Sequence, residues 1–295
     1  ISGTLTDGCI DVDAKGKVYL EFDGVDITSS SGPALIITDA KKVTLTLVDG
    51  TTNYLTDTAA DNEYDAALFT NDTLIINGAG TLIVTGNNNE GISSDDDIIV
   101  NAGTVEVTAV DDGLNAHDDI TITGGDVYIH AGGDGLDSNG TINISGGTLI
   151  SLGSTAGGDG GLDAVGALTI TGGFVVAGGN SIVAPGSDSS QASVFVGTGA
   201  TQAAGTAVTL TRDGEEILVV TPDKEFQNLL ISSSDLIADA SYQVYVGSSD
   251  AAVTVTAAIT PAGAGAMGAP AGAGTPVGAA AAGATGAAPT TGGQQ

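Results

Sequence analysis

From Thr81 to Gly173 the chain repeats itself about every 22 residues, and each copy carries the same acidic turn. The copies are E-G-I-S-S-D-D-D-I-I-V-N-A-G from Glu90, D-G-L-N-A-H-D-D-I-T-I-T-G-G from Asp112, D-G-L-D-S-N-G-T-I-N-I-S-G-G from Asp134 and G-G-L-D-A-V-G-A-L-T-I-T-G-G from Gly160. The apolar residue after the glycine recurs at Ile92, Leu114, Leu136 and Leu162, with spacings of 22, 22 and 26. Fainter copies begin at Ala34 and Ala67. A fixed period in this range is the mark of stacked coils, each burying its apolar residues against its neighbours. Val/Ile/Thr/Leu runs bounded by glycine make those coils all-β, and no stretch has the spacing of an amphipathic helix.

The pattern divides the chain into three. Residues 1–186 read as a parallel β-helix of coils of about 22 residues, with 174–186 as the coil that ends the series. Residues 187–260 lose the period and read as an antiparallel β region packed on the helix end. Within it, T-A-V-T-L-T-R-D-G-E-E-I-L-V-V-T is a hairpin about Asp213–Gly214, since an Asp-Gly pair readily takes the positive φ of a two-residue turn. Residues 261–295 are almost wholly Ala, Gly, Pro and Thr, which suits either a linker or an arm docking on a neighbouring subunit.

Charge narrows the function. With 36 acids against six Lys and Arg, the net charge is −30, which excludes a nucleic-acid binder that works by neutralising phosphates and disfavours anionic lipid. The acids are 29 Asp and only 7 Glu, a choice that points to turns and oxygen-ligand loops rather than to a generic solvated surface. The lone Cys9 can form no internal disulfide and is expected as a small thiol buried in a strand. No apolar stretch reaches the ~20 residues of a membrane span. The chain opens directly at Ile1 in what reads as mid-strand, consistent with removal of a leader or loss of an upstream segment.

In a parallel β-helix successive coils lie ~4.8 Å apart, so equivalent positions form columns. One column runs Glu90, Asp112, Asp134, with Asp159 beside Gly160; a second runs Ser93, Asn115, Asp137, Asp163. A third face carries Asp95, Asp96 and Asp97 against Asp118 and Asp119. Carboxylates ~5 Å apart repel by about 1 kcal/mol in water and by more where they are shielded. Either their pKa values rise or cations sit between the coils. Calcium, which takes six to eight oxygens in tolerant geometry, is the expected ion. The alternative is that these Asp residues cap turn backbone in solvent. Thiolate and imidazole sites are excluded, because Cys9, His117 and His130 are the only such residues.

Catalysis is disfavoured. A polysaccharide lyase needs a positioned base, usually Arg or Lys, with cations to neutralise the acidic sugar. No Lys or Arg occurs between Val43 and Thr211. Paired acids such as Asp111/Asp112 recur coil after coil, whereas a hydrolase needs one singular pair. His117 and His130 stand in no Ser/His/Asp neighbourhood in the sequence.

Several segments, in order, resemble a family of secreted bacterial proteins described as carbohydrate-binding-domain-containing. These are S-G-T-L-T-D-G from Ser2, K-K-V-T-L-T-L from Lys41, G-A-G-T-L-I-V-T-G from Gly78, T-A-V-D-D-G-L-N-A-H-D-D from Thr108, S-Q-A-S-V-F-V from Ser190 and S-S-D-L-I-A-D-A-S-Y-Q-V-Y from Ser233. The resemblance implies a calcium-binding right-handed parallel β-helix, similar in outline to pectate lyases but non-catalytic, with calcium at Asp111, Asp112, Asp118, Asp119, Asp134, Asp137, Asp159 and Asp163. It also implies affinity for polysaccharide and an extracellular or cell-surface location. Two departures stand out: family members usually carry a strand before S-G-T-L, so the first coil is expected to be incomplete, and the chain has no Trp with which to stack a sugar. Two functions therefore compete: a surface or matrix module holding polysaccharide, and a subunit polymerising end to end. The second would use the open edge at Ile1 and Ser2 against a strand containing Ala251, Val253 and Val255, or against the tail at Pro261 and Met267.

Overall fold

Strands form wherever apolar and polar residues alternate between glycine-rich corners, and the coils then stack because each leaves a row of apolar side chains on one side only. The computed structural model describes residues 1–59, 64–249 and 252–258, among which there is no helix, and hence none long and apolar enough to cross a membrane. Coil 1 is β1 (Gly3–Leu5), β2 (Ile10–Asp13) and β3 (Lys17–Phe22). Coil 2 is β4 (Val25–Thr28), β5 (Leu35–Asp39) and β6 (Lys42–Leu47); coil 3 is β7 (Thr52–Thr56), β8 (Ala66–Thr70) and β9 (Leu74–Gly78). Coil 4 is β10 (Thr81–Gly86), β11 (Glu90–Ser94) and β12 (Ile98–Val100); coil 5 is β13 (Thr104–Ala109), β14 (Leu114–Ala116) and β15 (Ile120–Ile122). Coil 6 is β16 (Asp126–Ala131), β17 (Leu136–Ser138) and β18 (Ile142–Ile144); coil 7 is β19 (Thr148–Leu152), β20 (Leu162–Ala164) and β21 (Leu168–Ile170). Then follow β22 (Phe174–Gly179), β23 (Ser193–Gln202), β24 (Val208–Arg212), β25 (Glu215–Val220), β26 (Phe226–Ser232), β27 (Ser241–Val246) and β28 (Val253–Thr256).

Each coil gives one strand to each of three parallel sheets. Sheet A runs β1-β4-β7-β10-β13-β16-β19-β22, sheet B β2-β5-β8-β11-β14-β17-β20 and sheet C β3-β6-β9-β12-β15-β18-β21. Register carries from coil to coil: Leu82, Val105, Val127, Leu149 and Val175 stack on sheet A, and Ile98, Ile120, Ile142 and Leu168 on sheet C. All of these are buried in one continuous core. The C–A corner is a T-G-G or S-G-G motif, whose second glycine takes a positive φ at Gly125 (81°), Gly147 (79°) and Gly173 (88°). A side chain there would be strained by the backbone conformation, and at Gly147 its Cβ would also lie 2.3 Å from Gly125 O.

Coil 1, expected to be incomplete, contributes a strand to all three sheets, and β1, β2 and β3 are their edge strands among the described residues. Ile1 is held there by its N-terminal amine on Glu21 O (2.6 Å) and by the Asp23 N–H on Ile1 O, while Ile1 and Ser2 remain exposed. Cys9, expected in a buried strand, is exposed and precedes β2. It lies on the coil that, among the described residues, has a neighbour on one side only, and there β2 is no more than half-buried.

The helix ends by changing strand direction. β26 pairs antiparallel with β22, and β23 with β26, so sheet A continues as ten strands. Against its outer face packs a second, antiparallel sheet D, ordered β25-β24-β27-β28. β22 and β26 thus serve two cores at once: Val175, Ala177 and Leu230 point into the helix, while Val176, Leu229 and Ile231 join Leu210, Phe226, Tyr242 and Val244 in the second core. Burial on both faces is why F-V-V-A and N-L-L-I read as unbroken apolar runs rather than alternating ones. The β24–β25 turn is the expected Asp213–Gly214 pair, with φ of 55° and 85°. Val253 and Val255 lie in β28, which pairs with β27 of the same chain and buries Val255. Ala251, Pro261 and Met267 lie outside the described residues.

Candidate functional site

The acids predicted as ligands gather at two of the three corners. At the A–B corner, the Gly91 N–H donates to Asp112 O, the Gly113 N–H to Asp134 O and the Gly135 N–H to Gly160 O, which stacks Glu90, Asp112, Asp134 and Gly160. The carboxylates then reach upward: the Asp134 N–H donates to Asp112 Oδ1 (2.7 Å), and the Gly160 N–H to Asp134 Oδ1 (2.6 Å). Each Asp thus satisfies a turn N–H of the following coil, which no strand partner serves. The second column is in register as Ser93, Asn115, Asp137 and Asp163. The Asn115 carboxamide donates to Asp112 Oδ2 (3.3 Å) and Asp137 Oδ2 (3.4 Å), tying the two columns together.

Desolvation at this corner works against the charged forms, and mutual repulsion adds to it. Burial pushes Glu90 up to about 7, with further repulsion from Asp65, Asp112 and Asp111. Burial raises Asp112 as well, opposed by its bond from Asp134 N–H and helped by Asp111 and Asp159. Asp134 is pushed up to about 8 by burial and then by Asp112, Asp163 and Asp159; Asp137 rises to about 6 by burial and then by Asp112, Asp163 and Asp111. Glu90 Oε2 is buried without a hydrogen-bond partner.

The B–C corner is built from the same residue types but is more open. The Asp119 N–H donates to Asp97 Oδ1 (3.1 Å), and the Thr141 N–H and Oγ1 donate to Asp119 Oδ1 (2.7 and 2.9 Å). Asp95 and Asp118 face solvent, Asp118 beside His117 (Nδ1–Oδ1 3.4 Å); Asp96 is half-buried, and its carbonyl accepts the Asp118 N–H. Asp97 and Asp119 are inter-coil clamps: their carboxylates hold backbone on the next coil rather than capping their own turn, which is the alternative to cation binding. Among the described residues, no three His, Cys, Asp or Glu groups converge to hold a metal ion. The A–B corner nonetheless supplies only oxygen donors, one of them unpartnered, which is the donor chemistry a hard cation takes.

A second feature left no trace in the repeat. Where sheet D stops short of covering sheet A, a groove of about 550 Å³ remains between the outer face of sheet A and the segment 219–223. Its floor is a row of outward residues that register stacks coil by coil: Ile83, Glu106, Tyr128 and Ile150, with Thr108 and His130 alongside. Its roof is Val219 to Asp223, and Phe174 and Val176 close the end nearest the second core. His130 Nε2 meets Asp223 Oδ1 at 2.8 Å, joining floor to roof. His130, isolated in the sequence, thus has a carboxylate partner brought by the fold. Lys224, next to Asp223, donates to Ala131 O and Gly153 O (2.5 Å for the latter), which anchors the roof to the end of β16 and the start of the β19–β20 loop.

The model of a family described as carbohydrate-binding domain-containing protein matches residues 1–212. A carbohydrate-binding domain-containing protein of Acetivibrio thermocellus is 34% identical over 117 residues, covering 37% of this chain and 41% of the relative, so the chain spans about two fifths of that relative's length. Among solved structures, a polysaccharide lyase-like protein from C. thermocellum, in a gadolinium derivative, superposes with a TM-score of 0.49 at 32% identity, covering 58% of this chain and 78% of the other.

Proposed function

The chain belongs to the family of carbohydrate-binding domain-containing proteins, and on that premise we propose a non-catalytic polysaccharide-binding β-helix of the cell surface or extracellular matrix. The groove over sheet A carries this reading. It is concave, largely apolar, and edged by a few polar groups from two parts of the fold, which is the usual make-up of a binding site. Tyr128 offers an exposed ring against which a sugar face can pack, with Glu106 and Asp223 as acceptors for hydroxyls. No Lys or Arg lines the groove to act as a lyase base, and both groove acids are solvent-exposed, whereas a general acid works from a shielded position.

Calcium at the A–B corner completes the proposal, held by Glu90, Asp112, Asp134 and Asp137 with Asp111, Asp159 and Asp163 nearby. What supports it is the crowding of half-buried carboxylates and the unpartnered Glu90 Oε2. When bound, the ion would supply the positive charge this corner lacks. Such an ion is abundant outside the cell, which fits a secreted protein. Titration of soluble polysaccharides into the full chain tests the binding reading. Tyr128→Ala should weaken binding about tenfold with an unchanged melting midpoint, as loss of one aromatic contact of ~1.4 kcal/mol would. Binding untouched by this change would remove the groove as the site, and release of cleaved sugar would overturn the non-catalytic assignment.

A further inference from the structure

We infer that the groove takes an uncharged glycan chain lying along the helix axis and discriminates against polyuronates; the inference rests on the groove being the sugar site. The direction follows from register. The lining runs from Ile83 on β10 to Val176 on β22, across five adjacent strands of sheet A and so roughly 19 Å at ~4.8 Å per coil. One coil further out the same row continues to Tyr54, paired with Ile83 and exposed, so two tyrosines stand three coils apart on one line. Along the strands the lining is shorter, two outward positions on β13 (Glu106, Thr108) and on β16 (Tyr128, His130), and the roof segment closes one side.

The charge preference follows from what the groove lacks. Its charged groups are Glu106 and Asp223, with His130 already paired to Asp223. Lys224, the nearest cation in the chain, is turned away into two backbone carbonyls. The chain brings no other Lys or Arg between Val43 and Thr211, and its net charge is −30. A polyuronate would therefore meet like charge at Glu106 and Asp223, with no guanidinium or ammonium in the groove to pair with. A neutral sugar presents apolar faces to Tyr128, Ile83 and Ile150 and hydroxyl donors to carboxylates that can only accept, a complementary arrangement.

The test titrates the full chain, in one buffer at low and high salt, with neutral β-glucan oligosaccharides and with oligogalacturonates of matched length. Glucan affinity should rise with length until the row is filled, and Tyr54→Ala should remove the gain from the longest members. Oligogalacturonate should bind roughly tenfold more weakly at low salt, the gap narrowing as salt screens it. Glu106→Lys should narrow it further. Uronate binding equal to or tighter than glucan, and lost in Tyr128→Ala, would overturn the preference while leaving the groove as the site. No binding of either oligomer, or binding indifferent to both tyrosines, would overturn the groove itself.

Discussion

The A–B corner and the groove meet at the end of β16, and they are made by opposite means. The corner is periodic: Glu90, Asp112 and Asp134 are the same position of successive coils, and what each does is decided by the coil above it. The groove is singular: Tyr128, His130, Phe174 and Asp223 occur once, and Asp223 reaches His130 from 93 residues along the chain. Repetition is the means by which a solenoid stands, since every coil must satisfy the same turn N–H groups and bury the same side chains. Recognition needs a place unlike its neighbours. In this molecule the difference is created where sheet D covers part of sheet A and stops.

The largest test of that division is steric. At Gly135, on the A–B corner, a Cβ would fall 1.9 Å from Ser151 Oγ and 2.6 Å from Gly161 O, so a side chain forces the coils apart. Gly135→Val is expected to cost several kcal/mol, about 3 or more, and to show as failed folding or a collapsed midpoint. Gly158, in the longer loop of coil 7, has nothing within 4 Å of the same atom, and Gly158→Ala should melt like the parent. Equal tolerance at the two would mean that the corner does not hold the stack.

Next in size is the dependence on pH and cation, which should belong to the corner alone. Glu90, Asp134 and Asp137 have folded values of about 7, 8 and 6, well above those of unfolded carboxyls. Between pH 4 and 8 the folded chain therefore keeps protons that the unfolded chain has lost, so stability falls as pH rises through this window. The slope is at most ~1.4 kcal/mol per pH unit for each such group, less for partial exposure and coupling. In chelator, the midpoint should be highest near pH 5 and drop towards pH 8. Calcium should raise it at pH 8 and act weakly at pH 5, where protons already neutralise the corner. Asp134→Asn, which keeps an oxygen for the Gly160 N–H, should flatten the pH slope and shrink the calcium gain. A midpoint at pH 8 indifferent to calcium would overturn calcium as the ion of this corner. Tyr128→Ala should alter neither response.

The same division decides what could be read from the sequence. Alternation and period gave the coils, the stacked columns and the Asp213–Gly214 turn, because each depends on residues within one or two repeats. The inter-coil role of Asp97, Asp112, Asp119 and Asp134 was half legible. Their phase showed that they stack, but only the structure shows that Oδ1 is aimed at the next coil's N–H. The groove was not legible, since its roof is the end of β25 and the segment after it, whose place depends on sheet D docking over β22 and β26. One trace of that docking was present: F-V-V-A and N-L-L-I abandon alternation, as strands buried on both faces must. Cys9 was misread because the pattern says which positions turn inward in a stacked coil, and among the described residues coil 1 has a neighbour on one side only.

The smallest expected effect on stability is the one that separates binding from standing. His130 and Asp223 form a pair whose side chains are 40% and 72% exposed, so water screens it and its removal should cost at most about 1 kcal/mol. Yet the pair spans floor and roof of the groove, and Asp223 precedes Lys224, whose amine is fixed on Ala131 O and Gly153 O. Asp223→Ala should therefore leave the midpoint nearly unchanged and weaken glycan binding, because the roof loses a tie and the sugar loses an acceptor. His130→Gln, which keeps a donor in reach of Asp223, should recover part of that affinity relative to His130→Ala. If both His130 changes bind like the parent, the roof is held by Lys224 alone and the pair is incidental. If instead either change lowers the midpoint as much as a corner substitution does, the groove would be part of what holds the coils, and the contrast between repeated and singular residues would fail at the point where the two regions touch.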